Sequence, residues 1–285
     1  MTQTGLLARA SHQRELWALA FLMVLVTSTY VVFVLPIPVD PWVKDAYDII
    51  MSYGVGGSNS NKAMLVMSVE SFSNVLECTP IIATFWNLVK KNGAYLVVMT
   101  AHVEMGQTQN VLAEMKRTWP GFPNVPEYGT QIVFLGWTPT TTMPVVWANL
   151  WGTYGGKDYF GNSLASLPMM NTFNPSHTLA DYGVVVGLVG WEGFDYVQIH
   201  NAGVNTLIGF GGQGGMGGST QLYSIGQRQG FVDGSGNGQQ MELLSGIPGT
   251  NSLLATAPIM SALFIFGGVA VSNIWFATRR KEEKK

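Results

Sequence analysis

The sequence predicts an α/β domain, a Rossmann-like open and mostly parallel sheet of about four to five strands flanked by helices, with one transmembrane helix at each terminus. Three observations predict it. Uncharged apolar runs stand at both ends of the 285-residue chain, Leu16–Val39 and Leu253–Thr278. Between them, short β-branched or apolar runs alternate with longer amphipathic ones, the pattern of a parallel sheet covered by helices. The composition, 47% hydrophobic and 11% charged, is that of a folded chain and not of a disordered one.

Each terminal run exceeds the roughly 20 residues a helix needs to cross about 30 Å of hydrocarbon. Arg9 and Arg14 precede the first, and Arg279, Arg280, Lys281, Lys284 and Lys285 follow the second. The inner flanks carry only Lys44 and, farther off, Arg228. Because Lys and Arg are retained on the cytoplasmic side, both termini are expected there. The expected organisation is a cytoplasmic N-terminus over 1–15, a transmembrane helix over 16–39, an extracytoplasmic α/β domain over 40–252, a second transmembrane helix over 253–278 and a basic cytoplasmic tail over 279–285. The first run is longer than a signal-peptide core, and no small-x-small cleavage site precedes Pro36-Ile37-Pro38, so a retained anchor is expected. Trp17, Tyr30, Trp42 and Trp275 fall near the span ends, where amphipathic rings favour the headgroup layer.

The elements follow in order. Asp45–Met51 reads as a short helix lying on the membrane side, and Ala63–Val69 as the first strand. Glu77–Lys91 places Ile81, Phe85, Leu88 and Val89 on one helical face, and Asn92-Gly93 ends it as a C-cap pair does. Ala94–Ala101 is the second strand. Gln107–Trp119 groups Val111, Leu112 and Met115 and is stopped by Pro120-Gly121. Thr130–Trp137 is the third strand, and Met143–Trp151 a helix with Pro144 in its first turn. Gly152–Asp181 reads as a long loop, either a surface lid or a docking element. Tyr182–Val189 is the fourth strand and Thr206–Phe210 a fifth. Between Gly209 and Gly218 seven of ten residues are glycine, which predicts no regular element there but a flexible or ligand-hugging loop. Gln221–Leu244 reads as a Gly-interrupted helix. Cys78, the single cysteine, falls in a helical stretch and is expected to be buried as a small apolar residue.

In an open parallel sheet ligands collect at the carboxyl ends of the strands, so candidate residues are sought just past each strand. Glu70 follows the first, His102 and Glu104 the second, and Trp191-Glu192 the fourth. Glu70, His102, Glu104 and Glu192 have the chemistry for an acid/base pair or a carboxylate-histidine metal site, although polar residues in such places more often cap helices or face water. After the third strand, Thr138, Thr140, Thr141 and Thr142 offer hydroxyls and backbone N–H groups to an anion, with an N-cap role for Thr141 or Thr142 as the commoner alternative. The chain has no P-loop, no nucleophile elbow, no H-E-x-x-H and no paired C-x-x-C, and the glycine tract is too dense for its G-x-G-x-x-G matches to mark a dinucleotide site. No metal and no cofactor is therefore expected. A net charge of −2 without a basic stripe argues against nucleic acid as a partner.

Three blocks carry a family resemblance: Phe134-Leu135-Gly136-Trp137-Thr138-Pro139-Thr140-Thr141, then Asp158-Tyr159-Phe160-Gly161-Asn162-Ser163-Leu164-Ala165-Ser166-Leu167-Pro168-Met169-Met170, then Gly226-Gln227-Arg228-Gln229-Gly230. Their order resembles a family of prokaryotic membrane-anchored proteins, with no assigned activity, in which an extracytoplasmic α/β domain lies between two terminal transmembrane helices. Thr140 and Thr141 stand where that family has two glycines, and Phe231-Val232-Asp233-Gly234 replaces its Leu-Leu-x-Gly. The resemblance implies the architecture and no reaction.

The function expected from these readings is a non-enzymatic subunit of a membrane-protein assembly, with the lipid bilayer and either copies of itself or other membrane proteins as partners. Ala255, Ala257, Ser261, Ala262, Gly267, Gly268, Ala270 and Ser272 make the second span a surface other helices can approach closely, whether from the same chain or from another. The alternative is a small-molecule-binding or enzymatic domain acting at the strand ends.

Overall fold

The computed structural model describes residues 17, 19–23, 26, 37–68, 75–101, 107–138, 149–172, 178–189, 203–213 and 216–282. Six strands form one sheet: β1 (Ala63–Ser68), β2 (Tyr95–Ala101), β3 (Ile132–Thr138), β4 (Val184–Val189), β5 (Leu207–Gly211) and β6 (Gly230–Asp233). Their order is β3-β2-β1-β4-β5-β6 and every pairing is parallel. The strands are almost wholly buried, β1 at every position, because helices and loops cover both faces. That double burial is why the runs read as continuously apolar instead of alternating.

One face carries α1 (Pro41–Tyr53), α2 (Val75–Asn92), α3 (Gln107–Thr118) and α7 (Gly234–Ser245). Val43, Ala46 and Ile50 of α1, Ile81, Phe85 and Leu88 of α2, and Val111, Leu112 and Met115 of α3 pack there against Met64, Val66, Leu96, Val98, Phe134 and Phe210 of the sheet. Cys78 is fully buried in the same layer. The other face is covered by α4 (Leu150–Thr153), α5 (Pro168–Thr172), two 3-10 turns (Leu164–Ser166 and Leu179–Asp181) and α6 (Met216–Ser224). Leu164, Leu167, Met169, Met170 and Leu179 lie there over Leu65, Met67, Val97, Met99 and Val133.

The 152–181 segment, expected as a lid or docking loop, is therefore in large part a packed cover. Asp158 anchors it, its carboxylate accepting from Tyr128 Oη at 2.6 Å and from the backbone N–H groups of Phe160 and Asn162 at 2.9 and 2.8 Å. Tyr159 N–H donates to the Phe134 carbonyl of β3, closing that edge of the sheet.

Two expectations are corrected. The sheet has six strands and not four to five, because Gln221–Leu244 is not one helix: α6 ends at Ser224, β6 follows, and α7 begins at Gly234. A strand of four residues that opens on Gly230 and is followed by Gly234 carries too little periodicity to be read from sequence. The glycine tract also forms regular structure, since Gly209 and Gly211 lie in β5 and Met216, Gly217 and Gly218 in α6. Gly209 is small for a packing reason: a Cβ there would meet the Arg228 guanidinium at 3.0 Å. That guanidinium runs beneath α6 to Ser219, whose hydroxyl in turn donates to the Asp233 carboxylate.

Chain termini complete the fold. The helix α8 (Thr250–Glu282) has 33 residues and is about 50 Å long at 1.5 Å per residue. Among the described residues its Thr250–Ala270 part is the one stretch long and apolar enough to cross a bilayer; Asn251 and Ser252 in its first turn are buried against the domain, while large apolar side chains farther along, Leu263 and Phe266 among them, are exposed. The first expected span, 16–39, is described only in part; Trp17, residues 19–23 and Val26 are helical. Trp17 and Phe21 set their rings against Phe264 of α8, with centroids 5.9 and 5.6 Å apart.

Candidate functional site

The strand order reverses between β1 and β4, which lie side by side although β1 also pairs with β2. A doubly wound sheet offers its ligand crevice at such a reversal, outside the carboxyl ends of the strands. Ser68, the last residue of β1, is in register with Thr100 of β2 and Leu188 of β4. Its hydroxyl is fully buried and has no hydrogen-bond partner among the described residues. Thr100 Oγ1, by contrast, contacts Thr108 Oγ1 at 3.1 Å and donates to the Gly136 carbonyl at 3.2 Å.

Of the residues expected to carry chemistry, Glu70, His102, Glu104, Glu192, Thr140, Thr141 and Thr142 lie outside the described residues. The strands that Glu70, His102 and Glu192 follow, β1, β2 and β4, are neighbours in the sheet. Thr138 is described and buried. Its hydroxyl donates to Tyr154 Oη at 2.9 Å, so it is engaged in holding the cover over the sheet. Burial pushes the Tyr154 phenol up to about 12, the hydrogen bond from Thr138 acting in the opposite sense. Among the described residues no three of His, Cys, Asp and Glu come together closely enough to hold a metal ion.

A cleft of about 300 Å³ lies between the carboxyl-terminal ends of α1 and α2, lined by Tyr47, Met51, Val55, Leu88, Lys91 and Asn92 among others. It sits at the amino edge of the sheet, where ligands of this architecture do not collect. Its polar groups are committed to the fold: Lys91 Nζ donates to the Ser245 carbonyl at 2.6 Å and Asn92 Nδ2 to the Ile50 carbonyl at 3.1 Å.

The densest polar arrangement lies on α7, a helix the sequence reading had merged into a longer one. Glu242 is 1% exposed. Its Oε2 accepts from the backbone N–H groups of Gly249 and Ser252 at 3.0 and 2.8 Å. Its Oε1 accepts from Asn251 N at 3.1 Å, Asn251 Nδ2 at 2.8 Å and Thr84 Oγ1 at 3.1 Å. These donors include the otherwise orphaned first N–H groups of α8, toward which the helix dipole also draws negative charge. Asn251 Nδ2 reaches the Pro80 carbonyl of α2 as well, at 3.0 Å. Gly238, one turn before Glu242, must be glycine, since a Cβ there would lie 2.5 Å from Asn251 Cγ.

The preceding turns of α7 hold the start of α1 in the same way. Asp40 Oδ2 accepts from Asn237 Nδ2 and Gln240 Nε2 at 3.0 and 2.8 Å, and Asp40 N–H donates to Gln240 Oε1 at 2.9 Å. Trp42 Nε1 donates to Asn237 Oδ1 at 3.2 Å. The Trp42 ring stacks on Phe231 of β6 with an interplanar angle of 3°. Tyr223 Oη donates to Asp45 at 2.6 Å, and that hydrogen bond raises the Tyr223 pKa above its ordinary value. The hydroxyl on the Glu242 carboxylate, that of Thr84, is buried and also within reach of the Pro80 carbonyl at 3.0 Å. These hydrogen bonds fasten α7 to the residue that enters α1 and to the first turn of α8. Sequence reading missed them, and the one local signal was a run of amides and a carboxylate, Asn237, Gln239, Gln240 and Glu242, in a helix with no polar face to assign them to.

No family model matches the chain, and no curated protein or solved structure matches it either.

Proposed function

We propose that this chain is a two-pass membrane protein, with both termini in the cytoplasm and the α/β domain on the other side, serving as a non-enzymatic subunit of a membrane-protein assembly. The observation that carries the reading is the pairing of the terminal segments: Trp17 and Phe21 lie on Phe264, while Leu254, Ile259, Leu263, Ile265, Phe266 and Val269 of α8 are exposed. A row of exposed large apolar side chains is costly in water and matches hydrocarbon. The basic residues beyond each run support the orientation. The partners of such a subunit are the bilayer, other copies of the chain or other membrane proteins. The face of α8 at Gly267, where none of the described residues stands within 4 Å of an added Cβ, is the one such partners would meet, whereas Gly268 lies against Trp17. Native mass spectrometry of the gently solubilised chain tests the reading. A defined homo-oligomer or a constant set of co-purifying membrane proteins supports it, and a monomer without partners counts against it.

A second reading is favoured by one observation, the buried hydroxyl of Ser68 at the strand reversal. Under it the chain binds or processes a small molecule at the carboxyl ends of β1, β2 and β4, with Glu70, His102, Glu104 and Glu192 as the groups to substitute. A discrete small-molecule adduct in the same mass spectrum, lost in Glu70→Ala or His102→Ala, would establish it in place of the first.

A further inference from the structure

We propose that α7 is a rigid joint, pinned by Glu242, through which the α/β domain and its two terminal segments turn as one body; the inference rests on the two-pass reading for its setting. A domain between two membrane anchors has two options, to swing on flexible linkers or to be clamped, and the chain between α7 and α8 is only Gly246 to Gly249. Within that short connection, and at the first turn of α8, the Gly249, Asn251 and Ser252 N–H groups are all bound to one buried carboxylate. Asn251 ties the same turn to Pro80 and Thr84 of α2. The first turn of α8 is thereby fixed to two helices of the domain, so α8 cannot rotate about its start without breaking buried hydrogen bonds.

The entry to α1 is fixed to the same helix. Asp40, the residue before α1, is held by Asn237 and Gln240, and these precede Glu242 by one turn or so along α7. The entry to α1 and the start of α8 thus converge on one helix of twelve residues, and the first terminal segment is tied to α8 by the Trp17 and Phe21 rings on Phe264. That helix starts directly at the end of β6, where Asn237 Oδ1 accepts from Asp233 N–H at 3.4 Å. Asp233 is in turn bound by Ser219, and Ser219 by Arg228 under Gly209 of β5. A tilt of the terminal helix pair is delivered through α7 to β6 and β5 instead of being absorbed in a linker, and a ligand or partner that moves this sheet edge would conversely tilt the pair.

The test uses the full-length chain in lipid nanodiscs, spin-labelled at Asn87→Cys on α2 and Leu263→Cys on α8, both exposed positions. Cys78 is fully buried and does not compete for label. A single narrow distance distribution is expected, broadening at least twofold in Glu242→Ala and in Asn251→Ala and less in Glu242→Gln. An unchanged width in Glu242→Ala overturns the proposal. Should that variant not fold, amide exchange of the unsubstituted protein decides: the N–H groups of 249, 251 and 252 must be protected as well as the middle of α7, and fast exchange at them overturns it. Membrane orientation is read separately, from maleimide access to a cysteine placed at Asn87 in sealed cells. An inaccessible site with a narrow distance would refute the two-pass orientation and leave the joint standing.

Discussion

Asn251 donates twice to one oxygen of Glu242, from its backbone N–H at 3.1 Å and from its side-chain amide at 2.8 Å. The carboxylate acts as an N-cap supplied from another helix, and it is more demanding than a local cap because its donors from Asn251, Ser252 and Thr84 are buried.

Removing that acceptor leaves several buried N–H groups without a partner. Each such group costs about 1–3 kcal/mol, so Glu242→Ala is expected to lower unfolding free energy by about 3 kcal/mol or more in urea titrations of the detergent-solubilised protein. Glu242→Gln should cost less, since it keeps one carbonyl oxygen, yet still turns an amide N–H toward other donors. A loss under about 1 kcal/mol for Glu242→Ala would mean the donors find water instead.

Gly238→Ala places a methyl 2.5 Å from Asn251 Cγ. Overpacking of this kind costs about 1–3 kcal/mol. The exposed Gly236, which has no atom within 4 Å of an added Cβ, is the control in the same helix, and Gly236→Ala is expected to be neutral or slightly stabilising by thermal unfolding.

Gly268→Leu is expected to separate the terminal helices, because Trp17 Cζ3 lies 3.4 Å from where a Cβ would stand. The readout is disulfide formation between cysteines placed at Phe21 and Phe264, which should fall severalfold in the variant. If crosslinking persists while the size of the native complex changes, Gly268 serves contacts between chains.

At high pH the tyrosines should destabilise the fold. Burial raises the pKa of Tyr154 to about 12 and that of Tyr128 and Tyr182 further, Tyr128 also through its hydrogen bond to Asp158. A folded-state pKa raised above the unfolded value of about 10 means stability is complete below pH 10 and is lost as pH climbs through the folded value. For Tyr154 the window is about pH 10 to 12. Absorbance titration at alkaline pH should show these phenols ionising only together with unfolding, and Tyr154→Phe should flatten the decline across that window.

Much of the fold was legible in the sequence, for reasons that particular residues make plain. Ile81, Phe85, Leu88 and Val89 recur at helical spacing, and the helix found there, Val75–Asn92, ends at Gly93 with φ +72° as its Asn-Gly pair implied. Ala63–Ser68 is apolar throughout because both faces of a parallel sheet are buried. Thr138 was the one candidate site residue the structure describes, and it proved to be a buried hydrogen-bond donor to Tyr154.

By itself, then, the sequence determined the class of the sheet, the extent of its main helices and the two apolar ends, since each of these is written in the local period or length of apolar runs. The tertiary structure alone decided the β3-β2-β1-β4-β5-β6 order, the strand hidden at Gly230–Asp233, the regular structure of the glycine tract and the work of Glu242. Those features depend on partners far apart in the chain, Glu242 with Thr84 across 158 positions and Asp40 with Gln240 across 200. Local periodicity reports whether a residue is buried, but only packing determines what it is buried against.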